Sequence, residues 1–162
     1  MCNTPFKYAR EYLLKVLNAD IKGYRPFKNP IHKEIDYPPP IENPDLIKEL
    51  DQSNIEHSND FDDRFLRCRG QATRDFYVLR FGKFKRLPDL VIWPRSHEEV
   101  VKVVELANKY LSVIIPYGGG TNITLSLNYT KHDNRRFFIS LDTSQMNRIL
   151  WIDSVSMLAC IE

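Results

Sequence analysis

Hydrophobic positions along this chain fall mostly in short runs broken by proline and glycine, with one longer stretch at helical spacing. Val100, Val103, Val104, Ala107 and Tyr110 lie on one side of that stretch and Lys102, Glu105, Asn108 and Lys109 on the other, which predicts an amphipathic helix. Ser96-His-Glu-Glu99 is a capping-box sequence that starts it. Asp89-Leu-Val-Ile-Trp93, closed by Pro94, and Val113 to Ile115, closed by Pro116, predict a strand on either side. The whole is a strand, helix, strand unit with parallel strands and a right-handed connection.

Before it, residues 6 to 18 place Tyr8, Tyr12, Leu13, Val16 and Leu17 on one helical face, and prolines at 26, 30, 38, 39, 40 and 44 predict an extended arm. Asn43-Pro44 is a helix start of the N-cap and first-turn-proline type, for a helix through Leu50, and a second short helix is predicted from Asp60 to Cys68. Phe76 to Arg86 alternates, predicting a hairpin that turns at Gly82. After the unit, Ile123 to Leu127 has the alternation of a strand or extended loop and Phe137 to Leu141 that of a strand. Asp142 to Asn147 is a turn, either a plain one or one that lines a ligand pocket, and Ile149 to Ile152 with Val155 to Ile161 form a hairpin around Asp153-Ser154. The class is α+β with an α/β unit inside it. Residues 1–86 form a helical region with a proline-rich arm and a hairpin, and residues 87–162 a second region.

The second predicted strand opens into Pro116-Tyr117-Gly118-Gly119-Gly120-Thr121-Asn122. Glycines without Cβ let successive N–H groups turn toward one point and approach a ligand closely, and a phosphate or diphosphate suits such a concavity. Thr121 and Asn122 add a hydroxyl and a carboxamide able to donate to phosphate oxygens. Ligands of open α/β sheets bind at the carboxyl ends of strands, where this loop sits. Neither GxGxxG nor GxxxxGK[ST] is present, and the residues after the glycines do not open a helix, so amides would hold the anion with little macrodipole help.

Composition is that of a globular domain, 43% hydrophobic and 27% charged in 162 residues. A net charge of +2 gives no reason to expect nucleic acid, although residues 64 to 86 interleave eight basic residues with aromatics. Alternation on a half-packed element accounts for that pattern. Cys2, Cys68 and Cys160 are odd in number and lack CxxC spacing, which argues for a reducing compartment and against zinc or a disulfide frame. His32, His57, His97 and His132 share no ligand spacing, so no metal site is expected. Trp93 and Trp151 are expected in the core.

Leu87-Pro-Asp-Leu-Val-Ile-Trp-Pro94, Ile115-Pro-Tyr-Gly-Gly-Gly-Thr121 and Ile139-Ser-Leu-Asp-Thr-Ser-Gln-Met-Asn-Arg-Ile-Leu-Trp151 closely resemble the alkyldihydroxyacetonephosphate synthase family, flavoproteins with a vanillyl-alcohol-oxidase type (PCMH-type) FAD-binding domain. The resemblance implies FAD as cofactor, with Pro116, Tyr117, Gly118, Gly119, Gly120, Thr121 and Asn122 as its first binding segment. It implies a transferase of ether-lipid synthesis that exchanges the acyl group of acyl-dihydroxyacetone phosphate for a long-chain fatty alcohol. It is compatible with peripheral membrane association and a homo-oligomer in the full-length family member. The alternatives are a relative of flavin-dependent 2-hydroxy-acid dehydrogenases and a non-catalytic short product.

Family members continue far past the position of Glu162, and their catalytic residues lie there. The chain is therefore expected to be a truncated, catalytically inactive piece with weak FAD binding, and no catalytic residue is assigned in it. Its partly supplied sheet would expose strand edges that favour aggregation. Peroxisomal location is implied by the family alone, because neither of its targeting signals is visible. The family's usual serine and glycine are Asn122 and Ser126 here, and its histidines between residues 68 and 74 are replaced.

Overall fold

The computed structural model describes residues 15, 16, 18, 32–128 and 136–162. The predicted first helix and the early part of the proline arm lie outside that set, apart from those three residues.

Among the described residues, four α-helices and six strands follow in chain order: α1 (Pro44–Gln52), β1 (Glu56–Ser58), α2 (Phe61–Arg67), α3 (Thr73–Phe81), β2 (Leu90–Trp93), α4 (His97–Lys109), β3 (Val113–Tyr117), β4 (Phe138–Asp142), β5 (Ile149–Asp153) and β6 (Leu158–Ile161). Asn43 caps α1 by accepting from Leu46 N, and Ser96 caps α4 by accepting from Glu99 N. The Glu99 carboxylate does not return to Ser96; it takes the Arg95 N–H at 2.8 Å.

The main sheet has the order β1-β2-β4-β3, with β2 and β3 each parallel to β4 and β1 antiparallel to β2. The predicted strand, helix, strand unit is therefore real, but its two strands leave a space that β4 fills. β2 and β4 are buried along their whole length, as central strands of a sheet covered on both faces must be. Leu90, Ile92, Ile139 and Leu141 face α1 and α4, where Leu46, Leu50, Val103, Leu106 and Ala107 complete the larger core. A smaller core joins Tyr37, Phe65, Cys68 and Leu87, with Phe61, Leu79 and Phe84 against it. Residues from both sides of position 86 share the larger core.

Asp89 locks this arrangement. Its carboxylate accepts from Ile41 N at 2.9 Å, from Arg86 at 2.8 Å and from Phe138 N at 2.8 Å, so one buried side chain ties the arm, the approach to β2 and the start of β4. Arg64, 2% exposed, donates its Nε–H to Pro88 O at 2.7 Å. Arg67 and Arg86 are likewise paired within the fold and Lys83 pairs with Asp36 at its surface, so part of the basic run between 64 and 86 is spent on internal ion pairs.

Several sequence expectations are corrected. Residues 76 to 81 belong to helix α3, and Gly82 closes it through its N–H to Val78 O at 2.9 Å instead of turning a hairpin. Phe76, Tyr77 and Phe81 are exposed on that helix, with Tyr77 and Phe81 in contact one turn apart. Aromatics at adjacent and alternate positions imitate strand alternation, and only tertiary packing on Leu79 decides the matter. On α4 Val103, Leu106 and Ala107 are buried and Val104 is exposed, a small rotation of the predicted face.

Residues 123 to 127 form turns where a strand or extended loop was expected, with Asn122 and Leu125 at positive φ and Ser126 not so. β3 continues through Pro116 to Tyr117, because an edge strand tolerates a residue without an N–H. Trp93 is buried as expected; Trp151 is 52% exposed on the β5–β6 hairpin, which forms as predicted except that β5 includes Asp153 and β6 begins at Leu158, not at Val155.

Candidate cofactor-binding site

Because β2, β3 and β4 run parallel, their carboxyl ends, Trp93, Tyr117 and Asp142, come together on one rim, with Tyr117 and Asp142 in register. Asp142 organises it. Its Oδ2 accepts from Arg67 Nε at 2.9 Å and from Trp93 Nε1 at 3.2 Å, and its Oδ1 from Ser144 N at 2.9 Å. Burial raises the carboxyl's pKa, but the hydrogen bonds from Ser144 and the charge of Arg67 outweigh it and hold the group below its ordinary value. Arg67 also reaches Asp63 at 3.1 Å and lies over the Trp93 ring at 5.0 Å.

The glycine loop leaves this rim from Tyr117. Its three glycines differ in what they do. Gly120 is buried at φ +67°, and a Cβ there would lie 2.4 Å from the Tyr117 hydroxyl oxygen, so the ring of Tyr117 folds back over the loop only because position 120 has no side chain. Gly118 and Gly119 are exposed and a Cβ on either meets nothing within 4 Å. No packing demand explains them; the space beside them is open. Pro116 and Thr121 are exposed beside them and Tyr117 is half-buried.

Asn122 points the other way. It is 5% exposed at φ 55°, its Oδ1 accepts from Leu127 N at 3.0 Å, and its Nδ2 donates to Asp75 Oδ2 at 3.2 Å and to Asn128 Oδ1 at 3.4 Å. Asparagine suits that left-handed backbone, and its carboxamide is engaged within the protein, where the sequence had suggested a phosphate donor.

The wall facing the loop is the link between α2 and α3, residues 69–72, with the first turn of α3, a segment that the sequence marked only by its departure from the family's histidines. Gln71 Nε2 donates to Gly119 O at 3.2 Å. Gly70 sits so close that a Cβ would meet Asn122 Cβ at 2.0 Å. Arg69 acts on the Tyr117 hydroxyl: burial pushes the phenol's pKa up, and the charges of Arg69 and Arg67 pull against it. A lone glycine, Gly70, between two long polar side chains was the available signal. A cavity of about 220 Å³ lies alongside, bordered by Arg74, Asp75, Leu127 and Asn128.

Comparison with known proteins fixes what this geometry belongs to. Residues 88–162 match the family model described as FAD binding domain. The chain is 43% identical over 114 residues to alkyldihydroxyacetonephosphate synthase of Caenorhabditis elegans, spanning 70% of this chain and 19% of that protein. It is 40% identical over 127 residues to the Dictyostelium discoideum protein of the same name, 76% of this chain and 20% of that one. A solved structure of alkyldihydroxyacetonephosphate synthase superposes with a TM-score of 0.70 at 38% identity, covering 82% of this chain and 24% of that structure. Over this part of their length, the chain belongs with the alkyldihydroxyacetonephosphate synthases. It spans about a fifth of the length of the curated relatives it matches.

FAD is accordingly the cofactor of this domain type, and the residues present fit it. The open space at Gly118 and Gly119 admits a diphosphate close to the backbone, and the buried Arg69 Nε lacks a partner among the described residues.

Proposed function

We propose that this chain forms the first diphosphate-binding portion of an FAD-dependent synthase of ether-lipid formation, one that exchanges the acyl group of acyl-dihydroxyacetone phosphate for a long-chain fatty alcohol in the peroxisome. The observation that carries the cofactor part is the pair of unpacked glycines at the carboxyl end of β3, beside the Trp93, Arg67 and Asp142 cluster. Pro116 to Thr121 hold the diphosphate through backbone groups and the Thr121 hydroxyl, and Asn122 holds the loop's shape from behind.

Bound FAD supplies the covalent chemistry by which the acyl group is replaced without net oxidation. The chain's own residues bind and position it. Asp142 and Arg67 fix the rim against which the loop is set, and Tyr117 shields its inner side from water. No residue between 32 and 162 is assigned a proton transfer, and the substrates are expected to be handled by parts of the synthases that this chain does not match.

The test is a chimera in which residues 32–162 replace the matching segment of the Caenorhabditis elegans synthase. Retained flavin and retained exchange of acyl-dihydroxyacetone phosphate with hexadecanol support the reading. A folded chimera that purifies colourless and cannot be reconstituted with FAD overturns it.

A further inference from the structure

Holding a diphosphate by amides alone is electrostatically thin, and this loop has little else of its own. Residues 118 to 128 form turns and not a helix, so no aligned helix dipole faces the anion. Thr121 is neutral. The nearest obvious cation, Arg67, is committed to Asp142 and Asp63.

Arg69 differs. Its Nε is buried and has no hydrogen-bond partner, one of three such side-chain atoms among the described residues; the other two are hydroxyls, of Ser112 and Ser140. A buried guanidinium N–H left without an acceptor costs more than an unpaired hydroxyl, because the group carries charge. Its neighbours in sequence fix where it sits. Gly70 is packed against Asn122 and Gln71 is bonded to the Gly119 carbonyl, so the backbone at 69 enters the wall of the glycine loop, and its charge reaches the Tyr117 hydroxyl inside the same loop.

We propose that Arg69 is the charged partner of the cofactor's diphosphate, its unpaired Nε–H and guanidinium fork completing the site that the amides of Gly118 to Gly120 begin. The inference rests on the FAD reading above and adds the residue that neutralises the ligand. A guanidinium is suited to the task because its planar donors match two phosphate oxygens at once, which an ammonium does not do.

The test follows the side-chain Nε–H of Arg69 and the amides of Gly118, Gly119 and Gly120 by 15N-resolved NMR of the full chain, titrated with FAD, ADP or riboflavin to millimolar concentration. FAD and ADP are expected to move the Arg69 Nε–H together with the glycine amides, and riboflavin, which lacks phosphate, to leave it in place. Arg69→Gln is expected to weaken FAD and ADP by about tenfold to a hundredfold with riboflavin unaffected, and Arg69→Lys to fall between. Added salt should weaken ADP binding in the unaltered chain more than in Arg69→Gln. If the glycine amides shift while the Arg69 Nε–H does not, the Arg69 assignment is overturned and the FAD reading stands; that result needs no variant to fold. Should neither respond to FAD or ADP, both are overturned.

Discussion

Gly70 and Asn122 are packed so tightly that a methyl group on the first would sit 2.0 Å from the Cβ of the second and 2.8 Å from Asp75 Oδ2. Two segments 52 positions apart in sequence are thus pressed backbone to side chain at the base of the glycine loop. Cβ on Cβ leaves no flexible tip to swing aside. Gly70→Ala is expected to destabilise the protein by about 1–3 kcal/mol, the usual cost of overpacking, read as a lowered urea midpoint. Unchanged stability would mean that the two segments part easily.

The bonds of Asn122 can be separated from its backbone conformation. Asn122→Gly keeps the φ of 55° comfortable but strands Leu127 N and removes a donor from Asp75; Asn122→Ala does the same and adds left-handed strain. Each lost buried partner costs about 1–3 kcal/mol, and alanine should be worse than glycine by about 1 kcal/mol. Equal urea midpoints for the two variants would show that strain contributes nothing.

The three glycines should respond differently to alanine. Gly120→Ala forces the Tyr117 ring out and places a side chain at φ +67°, so thermal unfolding should occur at lower temperature. Gly118→Ala and Gly119→Ala meet open space, so their melting curves should match that of the unaltered chain. Their effect, on the proposal above, is on FAD, whose diphosphate would meet the new methyls. Titration of FAD fluorescence against each variant checks the contrast.

Asp142 gives stability an acid limb. Its folded pKa lies below the ordinary value, so the unfolded chain takes up its proton first as pH falls. The contribution is present above the unfolded value near 3.9 and is lost as pH drops through the folded one. Asp142→Asn should therefore be less stable at neutral pH and should converge with the unaltered chain in acid, measured as urea midpoints across pH. Parallel curves would remove Asp142 from the acid limb.

Cys68 and Cys160 should differ toward thiol reagents. Burial pushes the Cys68 thiol up to about 12, and it donates to Phe65 O at 3.1 Å; Cys160 is half-buried on β6. At mildly alkaline pH Cys160 is expected to react first, and Cys68 only on unfolding, with mass spectrometry locating the label. The raised Cys68 value also means stability should fall as pH rises from the unfolded thiol's range toward 12.

Much of this was legible in the chain because local signals and tertiary packing agree. Asn43-Pro44 and Ser96 start helices where they should, and Leu90 to Trp93 and Phe137 to Leu141, the latter broken only by Ser140, are apolar runs of the kind central strands require. What was hidden depends on partners distant in sequence. Nothing local says that β4 inserts between β2 and β3, that Phe76 to Phe81 is a helix, or that Asn122 turns inward to an aspartate 47 positions earlier. Of the site, the glycines were visible and their opposing wall was not, since Arg69, Gly70 and Gln71 gain meaning only from what they touch.

Pro116 has a consequence beyond ending an apolar run. Val113 donates its N–H inward to Phe137 O, so alternation turns those of Ile115 and Tyr117 inward as well and leaves Ile114 and Pro116 facing away from β4. Proline has nothing to donate. The outer border of β3 thus offers an incoming chain a single amide hydrogen, at Ile114, beside the outward carbonyls of Ile114 and Pro116, and a second polypeptide meets a ladder short of donors.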